Sequence, residues 1–143
     1  MHQTNVPPHL SKRVRFRGTF QRYGWQPGKR GDEPMLLLDA VTAGKKQTEL
    51  TAVWCQLTRS LWELGELKTG DVIQFTGRLV AVDKYQLAQH PGLPTCYQVR
   101  LPLQAQLVAP IDQLRRRPLP LDKLDIVALI ISRGDAPSRA AFW

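Results

Sequence analysis

Val72-Ile73-Gln74-Phe75-Thr76-Gly77-Arg78-Leu79-Val80-Ala81-Val82-Asp83 is the stretch whose pattern decides the fold. Ile73, Phe75, Gly77, Leu79 and Ala81 alternate with Gln74, Thr76, Arg78 and Val80. A period of two sends successive side chains to opposite faces of a half-buried strand. Lys68-Thr69-Gly70-Asp71 supplies the turn that leads into it. Just upstream, Thr58 to Leu67 changes period. There Leu57, Leu61 and Leu64, with Trp62, fall at helical spacing, and Thr58 suits an N-cap.

The same period of two recurs on both sides. Arg13 to Tyr23 reads as a first strand, with Val14, Phe16 and Phe20 on one face and Arg13, Arg15, Arg17 and Tyr23 on the other. Gly24 to Pro34 is rich in glycine and proline and reads as a loop. Met35 to Val41 is an apolar second strand, and Thr42 to Lys46 a turn. Glu49 to Cys55 is a third strand with Leu50, Ala52 and Trp54 on one face. After a loop from Lys84 to Thr95, Cys96 to Val108 is the fifth. Tyr97, Val99, Leu101, Leu103, Ala105 and Leu107 alternate there against Gln98, Arg100, Gln104 and Gln106. The order β-β-β-α-β-β predicts an all-β fold, a five-stranded barrel of the OB (oligonucleotide/oligosaccharide-binding) type with one helix between strands three and four. A three-stranded sheet with a separate hairpin is the alternative. Gly18 and Gly77, both in mid-strand, favour closure because missing side chains let strands bend and approach.

Lys68-Thr69-Gly70-Asp71-Val72-Ile73-Gln74-Phe75-Thr76-Gly77-Arg78-Leu79 resembles the fourth strand of OB-fold nucleic-acid-binding domains, with its pattern G-D-x-I-x-F-x-G-R. Arg15 to Gly24 resembles the opening strand of small, uncharacterised OB-like proteins of phages and mobile elements. Their third strand often ends in an aromatic pair, of which Trp54-Cys55 keeps the first member. The resemblance covers about residues 13–108 and implies a nucleic-acid partner. It names no substrate.

Bulk charge points the same way. The 143 residues carry 20 Lys and Arg against 12 Asp and Glu, a net charge of +8. No acid occurs in the first thirty residues, which hold Lys12, Arg13, Arg15, Arg17, Arg22, Lys29 and Arg30. Such a surface attracts phosphate backbones in a salt-dependent way. Cys55 and Cys96 lack metal-ligand spacing, and neither a spanning run nor a signal-peptide core is evident, so a cytoplasmic location is expected. His2, His9 and His90 belong to no catalytic constellation. The expectation is a protein without catalysis, metal or cofactor.

OB domains grip single strands with a basic groove and aromatic platforms across strands two and three. The expected nucleic-acid-binding residues are Arg13, Arg15, Arg17 and Arg78 on strands; Arg22, Tyr23, Trp25, Lys29 and Arg30 around the first loop; Lys45 and Lys46 in the next turn; Trp54; and Lys84 and Tyr85. Single-stranded DNA is favoured over RNA, in an accessory role in replication, recombination or a mobile element. The arginine ladder is compatible with the usual groove or with the opposite side of the barrel.

The chain divides into an N-terminal arm (1–11), the barrel (12–109) and a tail (110–143) opened by Pro110 and the run Arg115-Arg116-Arg117-Pro118. Leu121, Leu124, Val127, Ala128 and Ile131 make a helical stripe, predicting a helix over 121–132. Two readings stay open for it. It docks on its own barrel, or it oligomerises or binds a protein partner through Leu124, Val127, Ile131 and Trp143.

Overall fold

The computed structural model describes residues 8–28, 31–81, 97–109 and 116–132. A 3-10 turn at Pro8–Leu10 precedes strands β1 (Val14–Gly28), β2 (Gly31–Ala43) and β3 (Thr48–Gln56). One helical turn, α1 (Arg59–Trp62), leads to β4 (Val72–Ala81) and β5 (Tyr97–Ala109), and α2 spans Lys123–Ser132.

The strands close into a barrel in the order β1-β2-β3-β5-β4. Three antiparallel pairings (β1 with β2, β2 with β3, β4 with β5) follow chain order. Closure comes from the remaining two. β1 pairs antiparallel with β4, and β3 runs parallel to β5 at Trp54↔Gln98 and Cys55↔Val99. This is the five-stranded, all-β arrangement expected, with α1 between β3 and β4. Both mid-strand glycines sit where core side chains fill the space a Cβ would take. A Cβ on Gly77 would lie 2.5 Å from Val99 Cγ1, and one on Gly18 would lie 3.0 Å from Val41 Cγ2.

Phe16, Phe20, Leu36, Leu38, Val53, Cys55, Ile73, Phe75, Leu79 and Val99 fill the barrel, with Phe16 and Phe75 stacked at 5.6 Å. The alternation of β4 is realised: Ile73, Phe75, Gly77 and Leu79 are all buried. Elsewhere the structure corrects the simple alternation. Gly24 to Pro34 is not one loop, since its described residues extend β1 and β2 into a long hairpin with Gly24↔Met35 and Gly28↔Gly31 in register. The register shifts between Phe20 and Arg22, which reverses the phase of β1. Tyr23 therefore turns inward, packs on Phe20 at 4.7 Å and accepts a hydrogen bond from Leu67 N–H through its phenol oxygen. Leu10, in the expected arm, is fully buried with the core.

α1 is shorter than expected. Its N-cap, Thr58, makes no side-chain cap bond and donates instead to the Pro102 carbonyl. The segment after β5 returns to the barrel. Arg116 pairs with Asp71 at 2.5 Å, both side chains being at most 10% exposed, and Glu66 N–H donates to the Arg117 carbonyl. Leu119, Ile126 and Ile130 join the core cluster, and α2 lies against β1 and β2. The helix thus docks on its own barrel. Its buried face is Ile126, Val127 and Ile130, so of the expected stripe only Val127 faces the barrel, while Leu121, Leu124, Ala128 and Ile131 are exposed.

Candidate nucleic-acid interface

Charge is segregated by strand. β1, β4 and β5 contain no Asp or Glu and carry Arg15, Arg17, Arg22, Arg78 and Arg100. The acids of the sheet, Asp32, Glu33, Asp39 and Glu49, all lie on β2 and β3. Because β4 sits between β1 and β5, the acid-free strands adjoin and their outward residues form rows. Arg17 lies opposite Gln74, which lies opposite Gln106; Arg15 lies opposite Thr76, which lies opposite Leu103. In the next row Arg78 faces Arg100 directly. Arg15, Arg17, Arg78 and Arg100 are exposed.

Like charges directly opposite on a sheet repel. An anion lying between them removes that cost. Among the described residues the ion pairs are Arg59–Glu63 and Arg116–Asp71, and none of the four outward arginines takes part in one. Arg13 is employed differently. Its guanidinium donates to the carbonyls of Thr76 and Leu101 and ties the start of β1 across β4 to β5. Gln74 Nε2 donates to Gln106 Oε1 at 2.9 Å, which gives the face a hydrogen-bonded amide floor.

The β5 edge of this face is built at some cost. Leu101 and Gln104 adopt φ of 51° and 56°, a left-handed conformation that costs about 1–2 kcal/mol per non-glycine residue. Side chains from the β3–α1 corner hold it. Gln56 Oε1 accepts from Leu101 N–H, Thr58 Oγ1 donates to Pro102 O, and Ser60 Oγ accepts from Ala105 N–H. The irregularity changes the phase of β5, so Leu101 and Leu103, expected inside, are 57% and 48% exposed.

Among the described residues, those expected at the site are not brought together as one groove. Arg15, Arg17 and Arg78 share the β1–β4–β5 face. Lys45 and Lys46 are exposed in the β2–β3 turn. Tyr23 is buried. Trp54 is 1% exposed and leaves the Leu50 face because pairing is irregular around Val41. It packs with Met35 and Leu37 in a separate apolar cluster, with the half-buried Arg22 guanidinium 5.5 Å over its ring. That contact is a cation–π interaction within the fold. Trp25 is half-buried against the core. Neither Tyr23 nor Trp54 presents a ring for stacking, since burial removes the face a base would cover. Lys29, Arg30, Lys84, Tyr85 and Trp143 lie outside the described residues.

Arg100 was missed by sequence reading. Its outward place was legible in the alternation of β5, but its partner Arg78 depends on the β4–β5 register. Of the α2 residues expected to bind a partner, Val127 is buried against the barrel, while Leu124 and Ile131 are 56% and 51% exposed. Cys55 is buried, and desolvation pushes its thiol well above the usual range, the opposite of what activates a cysteine nucleophile. Among the described residues no three His, Cys, Asp or Glu converge as a metal site, and no helix is long and apolar enough to cross a membrane.

No protein-family model matches this chain, and no curated protein matches it.

Proposed function

We propose that this barrel binds nucleic acid without catalysis, through the outward arginines of β1, β4 and β5. The observation that carries the reading is Arg78 directly opposite Arg100 on a three-strand face without an acid. Guanidinium groups donate to phosphate oxygens in a fork that matches their geometry, and rows of them suit a repeating phosphate chain. The OB-type barrel makes a single strand, with DNA first, the expected form.

Two consequences follow from the surrounding side chains. The large exposed apolar side chains among the described residues are leucines and one isoleucine, with no aromatic ring. Contact is therefore led by phosphate, and binding is tolerant of sequence. If each of the four arginines neutralises one phosphate, log Kobs falls with log[salt] at a slope of about −3 for a single strand.

Fluorescence anisotropy with labelled single-stranded DNA, single-stranded RNA and duplex, each at two salt concentrations, tests the proposal. The expected result is single-strand binding that weakens steeply with salt, with DNA preferred. Absence of binding to all three at low salt removes the reading.

A further inference from the structure

Two exposed apolar patches of opposite charge lie on this one chain. The first is Leu101 and Leu103 on β5, held outward by the left-handed residues and the Gln56, Thr58 and Ser60 bonds. It adjoins Arg100, which faces Arg78. The second is on α2. At 100° per residue, Leu124, Asp125, Ala128 and Ile131 share the half of the helix opposite Ile126, Val127 and Ile130, and Leu121 lies just before its first turn. Leu121 is 84% exposed, Leu124 56% and Ile131 51%, and Asp122 and Asp125 are exposed beside them.

We infer that these patches are the two halves of one contact between copies of the chain, α2 of one molecule seating on the β5 edge of the next. A strained backbone that places leucines in solvent points to an interface. Charge complementarity selects the occupant. Pairing either patch with itself would set arginine against arginine or aspartate against aspartate, which disfavours a twofold contact. Pairing one with the other sets Asp122 and Asp125 near Arg78 and Arg100 around a leucine centre, the apolar core and charged rim of a specific interface. The net charge of +8 opposes association at long range, but physiological salt screens that repulsion beyond roughly 8 Å. A contact between unlike patches is head-to-tail and builds rings or chains rather than closing as a simple dimer. The inference does not rest on nucleic-acid binding, although it shares Arg78 and Arg100 with that face.

Sedimentation velocity of the full chain, from micromolar to millimolar concentration, carries the test with Leu103→Glu and Leu124→Glu. Both side chains are about half exposed, so each variant keeps the native circular dichroism; where one does not, serine at that position replaces it. The wild type is expected to gain mass with concentration beyond a dimer. Each variant alone stays monomeric, its association weakened about tenfold or more. Mixed together they form a heterodimer that grows no further, because each supplies the half the other lacks. A wild type monomeric at millimolar concentration overturns the inference. So does a Leu103→Glu variant that assembles like wild type, or a mixture that stays monomeric.

Discussion

Arg116 and the outward arginines of β1, β4 and β5 are the same residue type in opposite circumstances. Arg116 is 10% exposed and bonded to Asp71, and its Nη1 also donates to the Glu66 carbonyl. Asp71 in turn accepts from Lys68 N–H, while its backbone carbonyl accepts from Phe20 N–H. One ion pair thereby joins the segment after β5, the loop after α1 and the β1–β4 seam. Arg15, Arg17, Arg78 and Arg100 hold nothing of this kind together. A buried charge is tolerable only with its partner in place, whereas an exposed row of like charges is tolerated by solvent and relieved by an anion. The first serves folding, and the second is the surface proposed for recognition.

The contrast is sharpest in stability. Arg116→Ala leaves Asp71 buried without its counter-charge and lowers stability by about 3–5 kcal/mol, whereas Arg15→Ala stays within about 0.5 kcal/mol; urea unfolding of the two variants compares them. Equal losses would erase the distinction. On α2, Ile126→Ala empties a core site and costs about 2–5 kcal/mol, read as a shift in the unfolding midpoint. Leu124→Ala on the opposite half leaves that midpoint nearly unchanged. Tyr23→Phe strands the buried Leu67 N–H and costs about 1–3 kcal/mol, with amide exchange at Leu67 accelerated as the local readout. The smallest effect has the opposite sign. Arg100→Gln removes a like-charge pair and raises stability by a few tenths of a kcal/mol, up to about 1 kcal/mol, in the same urea experiment at low salt.

Much of the barrel was legible because its strands alternate and its turns carry glycine. β4 reads correctly from Val72 to Leu79, and Gly18 and Gly77 mark two close approaches inside the barrel. What was hidden depends on partner strands. Nothing local to Gln21 announces the register shift that turns Tyr23 inward, and nothing local to Leu101 or Gln104 announces a left-handed residue. Both arise from how β1 and β5 fit their neighbours. Trp54 looked like a core residue in the Leu50 phase, yet it is buried outside the barrel core. Arg116 was visible only as a member of the run Arg115-Arg116-Arg117-Pro118, since its partner Asp71 lies 45 residues earlier in the chain. In the candidate site, the arginines of β1 were visible as a ladder. Their grouping with Arg78 and Arg100 became visible only with the strand order. The α2 stripe was visible too, but which half faces the barrel was not, because apolar residues occupy both halves.

The most direct test of the recognition face is the salt dependence of single-stranded DNA binding by the wild type and by a variant combining Arg15→Gln, Arg78→Gln and Arg100→Gln. Wild-type affinity is predicted to fall steeply with salt, and the variant to bind more weakly at low salt with a slope shallower by about 2. Its unfolding midpoint in urea should not fall. An unchanged affinity and slope in a folded variant would contradict the assignment of this face.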